Sequence, residues 1–207
     1  MHVITFATQK GGSGKSTLAS CVAVAAEADG FRVAVLDTDP QRTTAKWGNR
    51  REAETPAVDF CEPHQLEAVL KGLEKQKFDL VVIDTAGAHN VSVAPALQLA
   101  DFCVVPVKPN LADLESAVTT AKQLNERKTR FGFVLSQCFG STARTNDAAT
   151  GLLRHGEVAT ANIFHRADYA DAHTAGMGVT EFNPNGRASQ EILLLWAWLR
   201  RVIGEAR

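Results

Sequence analysis

Apolar residues fall in short unbroken runs along this chain, each cut off by charged or glycine-containing text and followed by helical periodicity. The first run, Val3-Ile4-Thr5-Phe6-Ala7, passes through a glycine-rich loop into Leu18-Ala19-Ser20-Cys21-Val22-Ala23-Val24-Ala25-Ala26. Apolar runs bounded by turn residues read as strands buried on both faces. Further strands are predicted at Arg32–Leu36, Ala57–Phe60, Phe78–Ile83, Phe102–Val107 and Phe131–Leu135, with a weak one at Asn162–Phe164. Helical spacing follows Pro63 (Leu66, Val69, Leu70, Leu73) and recurs up to Leu99, over Ala112–Glu126, near Asp147–Leu153, over Arg166–Ala175 and over Ala188–Ile203. Strands alternating with helices predict an α/β fold: a mostly parallel, twisted sheet with helices on both faces. No Pro/Gly/Ser linker divides the 207 residues, so a single domain over 1–207 is expected.

The loop between the first strand and helix reads Gln9-Lys10-Gly11-Gly12-Ser13-Gly14-Lys15-Ser16-Thr17. Glycines let backbone N–H groups crowd a phosphate with no Cβ in the way. The helix N-terminus adds unpaired N–H groups and a positive dipole end. Lys15 would bring a point charge to the β- and γ-phosphates, and the Ser16 hydroxyl would ligate Mg²⁺. The common pattern G-x-x-x-x-G-K-[ST] has glycine at its first position, where this chain has Gln9. It carries a second lysine instead, Lys10, directly before the glycine pair.

In this form the loop, K-G-G-x-G-K-[ST], resembles the deviant Walker A loop of the ParA/MinD group of P-loop ATPases. Three more stretches extend the likeness. Asp84 ends the run Leu80–Ile83 as a Walker B strand does, and Gly87 beyond it resembles the second switch. Asp37-Thr38-Asp39-Pro40-Gln41 resembles the first switch, D-x-D-P-Q. Pro106-Val107-Lys108-Pro109-Asn110 through Asp113 is similar to P-V-x-P-S-x-x-D, with Asn110 where serine is usual. The fit resembles the short, ParF-like ParA type, and it runs from residue 2 to about residue 203.

The resemblance implies roles. Gly11, Gly12, Ser13, Gly14, Lys15, Ser16 and Thr17 would bind ATP, with Pro109 near the nucleotide. Ser16 and Asp84 would serve Mg²⁺, with Asp37 behind them. Asp39 would orient the attacking water, and Lys10 would cross a dimer interface to the other protomer's nucleotide. The segment from Ile163 through Tyr169 to Pro184 would frame adenine, and Gln137 would either reach the base or simply end a strand. For several residues a plainer reading stands beside these: a solvated lysine at 10, turn or cap carboxylates at 37, 39 and 84, and a Pro-Asn turn at 109–110.

Charge and cysteine content narrow the setting. With 22 Lys plus Arg against 23 Asp plus Glu, the net charge of −1 leaves nucleic-acid binding to a local patch. Arg166, Arg187, Arg200, Arg201 and Arg207 are candidates, each against the alternative of a solvated arginine. Cys21, Cys61, Cys103 and Cys138 show neither C-x-x-C nor zinc spacing. They read as free thiols of a reducing cytoplasm. That spacing also excludes a cluster-bridged dimer of the nitrogenase iron protein kind. A small-molecule ligase sharing the loop stays open. No apolar stretch is long enough to cross a membrane, and neither a leader nor a helix-turn-helix domain is expected before the first strand.

The resemblance thus implies a slow ATPase that dimerises on ATP, binds DNA without sequence preference on the nucleoid, and is released by a cargo-bound, ParB-like partner. The alternative is a MinD-like membrane-cycling ATPase. It rests on the tail Ile192–Ile203, in which Trp196 and Trp198 stand beside Arg200 and Arg201 as interfacial residues do.

Overall fold

The computed structural model describes residues 1–87, 93–140 and 142–204. Arg207 and the front of the helix expected to end at Leu99 lie outside the described residues. The strands are β1 (His2–Phe6), β2 (Val33–Asp37), β3 (Ala57–Phe60), β4 (Leu80–Asp84), β5 (Phe102–Val107), β6 (Phe131–Leu135) and β7 (Glu157–Val158). They form one sheet in the order β3-β2-β4-β1-β5-β6-β7, and every pairing is parallel. Parallel strands need crossovers, and the helices supply them: α1 (Lys15–Ala28), α2 (Thr43–Gly48), α3 (Leu66–Lys75), α4 (Ala94–Leu99), α5 (Leu111–Glu126), α6 (Ala143–Leu152), α7 (Ala167–Thr174), α8 (Val179–Phe182) and α9 (Arg187–Gly204).

Alternate residues of each strand feed opposite cores, as the two-residue repeat requires. Ile4, Phe6, Val33, Val35, Val82 and Val104 pack under α1 and α9 with Leu18, Val22, Leu195 and Leu199. On the other face Val3, Leu36, Val81 and Ile83 meet α3, while Cys103, Val105, Phe133 and Leu135 meet α5 and α6. Cys21, Cys61, Cys103 and Cys138 are all buried and unbridged.

Three expectations need correction. The seventh strand is Glu157–Val158, not Asn162–Phe164; the latter contributes a single bridge, Phe164 with Cys138. Two residues carry no periodicity, and the edge is held instead by Trp198 Nε1 and an Arg201 N–H donating to Glu157 Oε1 at 2.8 and 2.6 Å. Helix α6 starts at Ala143, four residues before the predicted Asp147. A short helix, α8, follows the Gly176 and Gly178 break.

Candidate nucleotide site

The strand order puts β1 between β4 and β5, so several carboxyl ends open onto one edge of the sheet, where ligands bind in open α/β folds. The loop Gln9–Gly14 leaves β1 there. Asp37 and Asp84 are register partners at the ends of β2 and β4, and Lys108 and Ser136 follow β5 and β6.

The loop keeps its shape through backbone that favours glycine: φ is +68° at Gly12 and +96° at Gly14. Distant residues brace it. Ser136 Oγ donates to the Ser13 carbonyl at 2.8 Å, and Gln137 Nε2 donates to the Gly12 carbonyl at 2.8 Å. Gln137 thus braces the loop with one amide N–H, and it also lines the cavity beside Gly14. Gly87 packs against the other side; a Cβ there would lie 3.0 Å from Lys15 Nζ and 3.1 Å from Gly11 Cα. Closeness to both the loop and its lysine suits a second switch.

Lys15 is only 7% exposed, and it pairs with no carboxylate at ion-pair distance among the described residues. Its Nζ donates to the Lys10 carbonyl at 3.3 Å. Burial holds its pKa below the usual lysine value, with Asp84 and Asp39 pulling back. Lys10 itself is exposed, and its ammonium has no hydrogen bond or ion pair among the described residues. Lys108 Nζ stands near the loop's shoulder, 3.9 Å from where a Gly12 Cβ would be.

Asp84 is fully buried, and that burial pushes its carboxyl up to about 7 against the opposing pull of the Ser16 and Thr44 hydroxyls. Thr44 Oγ1 donates to its Oδ2 at 2.6 Å, while Oδ1 has no hydrogen-bond partner. Ser13 Oγ is likewise buried without a partner. Orphaned buried oxygens are costly unless a ligand meets them. A carboxylate oxygen beside a serine hydroxyl is the hard-oxygen donor set that suits Mg²⁺, so Asp84 and Ser16 could hold that ion. Asp37 differs: Oδ1 accepts from Asp39 N and Oδ2 from Ala45 N, both at 2.9 Å. It shapes the first-switch turn. Burial raises its pKa, and those N–H groups hold the rise back. Asp39 is partly exposed and turns Oδ1 onto Gln41 N at 2.9 Å.

A cavity of about 400 Å³ opens beside Gly14, Thr17 and Leu18, walled by Ile163, Phe164 and Tyr169 among others. It adjoins the loop and is lined by part of the carboxyl-terminal segment expected to frame adenine. Pro109 lines a second cavity with Lys108 and Phe139, which adjoins the first through Gln137 and His165. Asn110 caps α5, its Oδ1 accepting from Asp113 N at 3.0 Å, so the plainer reading of that stretch accounts for it.

The proposed DNA arginines part company. Arg166 is held by Glu191, Nε to Oε1 at 2.7 Å, in a knot that also takes Tyr169 Oη and Phe164 N. Arg200 pairs with Asp29 at 2.9 Å but keeps half its side chain exposed. Arg187, at the start of α9, is exposed. Sequence reasoning missed Thr44 and Ser136, whose partners lie far along the chain.

A buried lysine, orphaned oxygens and a glycine loop ahead of a helix define a P-loop nucleotide-binding domain of the α/β class. Residues 4–191 match the family described as the CobQ/CobB/MinD/ParA nucleotide binding domain. The chain belongs to that family, as a ParA/MinD-type P-loop protein. It is 28% identical over 132 residues to Protein virC1 of Rhizobium rhizogenes, covering 61% of this chain and 57% of that one. Protein ParA of Rhizobium radiobacter is 29% identical over 115 residues, 55% of this chain and 51% of the other. The chain thus spans about half the length of these curated relatives. Among solved structures, MinD of Pyrococcus horikoshii, complexed with Mg-ADP, superposes with a TM-score of 0.80 at 18% identity, over 100% of this chain and 98% of that one. That likeness confirms the fold.

Proposed function

We propose that this chain is an ATP-driven partition or positioning ATPase of the ParA kind. The observation that carries the reading is the pair of lysines. Lys15 is buried in the loop with no carboxylate at ion-pair distance among the described residues, and Lys10 is exposed at the loop's outer edge. The backbone of Gly11–Gly14 and Lys15 would grip the phosphates of ATP, with Thr17 at the start of the base cavity. Ser16 and Asp84 would hold Mg²⁺, which when bound neutralises phosphate charge. Asp39 would set a water in line with the γ-phosphate, and Lys10 would reach the nucleotide of a second protomer. Water then displaces ADP from the γ-phosphorus, giving ADP and phosphate.

In this reading the ATP-bound homodimer sits on DNA in the cytoplasm until a partner carrying cargo, ParB-like or other, stimulates hydrolysis. Arg187, exposed and in none of the ion pairs among the described residues, is the better DNA candidate; Glu191 holds Arg166, and Asp29 holds Arg200, which keeps half its side chain exposed. The membrane-cycling alternative loses its basis. Trp196 and Trp198 are buried, and their N–H groups donate to Asp29 and Glu157 at 2.9 and 2.8 Å. No described helix is long and apolar enough to cross a membrane.

The test is retention of random-sequence duplex by the protein with ATP, with ADP and without nucleotide, over a salt series. Binding only with ATP, falling steeply with salt, is expected. Absence of ATP-dependent binding at low salt, or ATP-dependent pelleting with anionic vesicles instead, overturns the DNA half of the proposal.

A further inference from the structure

The end of β4 and the segment after β2 are tied by three bonds. Thr38 N and Thr38 Oγ1 both donate to the Asp84 carbonyl, at 2.9 and 3.0 Å, and fix the backbone. The third is different in kind: Thr44 Oγ1 donates to the Asp84 carboxylate, at 2.6 Å, between two side chains that are each fully buried. It crosses from the first turn of α2 to the end of β4, forty residues on. It occupies Oδ2 and leaves Oδ1 without a hydrogen-bond partner, on a carboxyl group that the Ser16 hydroxyl also reaches. A carboxylate held by one oxygen has its rotamer fixed and its other oxygen aimed. Hydrogen bonds to a ligating carboxylate act on metal affinity in this way.

We infer that Thr44 is a positioning residue for the divalent cation: its hydroxyl anchors Asp84 Oδ2 so that Oδ1 is presented with the Ser16 hydroxyl. The inference rests on the nucleotide reading above and adds a coupling to it. Thr44 follows the first-switch stretch Asp37–Gln41 closely, and Ala45 N is bonded to Asp37. Any movement that carries the start of α2 off the sheet must release Asp84 and loosen the cation together. A plainer role, a buried threonine that merely pins α2, makes a different prediction, because α2 would then matter for stability and not for metal.

The experiment titrates a fluorescent ATP analogue into wild type, Thr44→Val and Thr44→Ser, in EDTA and over a Mg²⁺ series, with a ligand-free melting curve for each. Valine keeps the shape and removes the donor; serine keeps the donor. Thr44→Val is expected to bind the analogue as wild type does in EDTA, while its half-saturating Mg²⁺ rises roughly 10- to 100-fold. Thr44→Ser should return that value to near wild type. In an Asp84→Asn background Thr44→Val should add nothing further. An unchanged Mg²⁺ requirement in Thr44→Val, or an equal loss with and without Mg²⁺, overturns the role of Thr44 and leaves the nucleotide reading standing. If valine is not tolerated, Thr44→Ala is read by the same criteria. Wild type that binds no analogue in either condition overturns both.

Discussion

Two groups of cations, one on the α7–α9 side and one at the carboxyl edge of the sheet, are treated in opposite ways. On the α7–α9 side four arginines are held by carboxylates: Arg166 by Glu191, Arg200 by Asp29, Arg201 by Glu157 and Arg51 by Glu181. At the carboxyl edge of the sheet Lys10 and Lys15 have none at ion-pair distance among the described residues. Lys15 is nonetheless as buried as the core, and its pKa is lowered by that burial. A desolvated charge left unpaired is expensive, so a fold tolerates it where a ligand of opposite charge is to arrive. Pairing marks the scaffold and its absence marks the site.

The largest effect expected from breaking this contrast is at Lys10. Its ammonium makes no hydrogen bond or ion pair among the described residues, so Lys10→Ala should leave ATP affinity and melting temperature where they were. Partner-stimulated turnover should fall about 10³- to 10⁵-fold, the range for a cation delivered to a phosphoryl transition state from outside the site. Single-turnover hydrolysis with the stimulating partner is the measurement. Stimulation that survives would make Lys10 an ordinary solvated lysine.

The contrast also explains what could be read from sequence. The loop Gln9–Thr17, Asp37–Gln41 and Asp84–Gly87 were legible because each puts its chemistry in consecutive residues. The central strands were legible because both faces are buried and their text is continuously apolar. What was not legible is pairing across the chain. Thr44 finds Asp84, Ser136 finds the Ser13 carbonyl, and Trp196 finds Asp29 over separations of 40, 123 and 167 residues. The tail misled for that reason. Tryptophan beside arginine looks interfacial until the acceptors of the indole N–H groups are known, and those come from α1's C-terminal cap and β7. Edge strand β7 is too short to carry a pattern at all.

At Lys15 the contrast sharpens into a pair of opposite signs. Lys15→Met keeps length and removes a buried charge that has no direct ion pair among the described residues. Affinity for ATP should fall at least about 100-fold, the equivalent of about 2.7 kcal/mol. The ligand-free melting temperature should hold or rise, because the substitution relieves desolvation. Calorimetric binding beside a ligand-free melt reads both. A melt that drops would mean the ammonium is part of the scaffold.

Glu191 supplies the converse, with the smallest effect. The residue is 8% exposed, and its carboxylate accepts from Phe164 N, Arg166 and Tyr169 Oη, so it joins α9 to the segment that walls the cavity beside the loop. Glu191→Gln keeps the volume and one acceptor oxygen but removes the charge that Arg166 meets. The stability lost should be about 1.5–2 kcal/mol, that of a hydrogen bond to a charged group. At this chain length that lowers the melting temperature by about 3–8 °C. ATP affinity should barely move, because the knot supports the cavity wall without touching the phosphates. The two variants therefore divide cleanly: Lys15→Met costs binding and no stability, Glu191→Gln costs stability and little binding. A Glu191→Gln protein that melts as wild type does but binds ATP poorly would move Arg166 from scaffold to site. The rule that a paired cation is structural would then fail at the one place where pair and cavity meet.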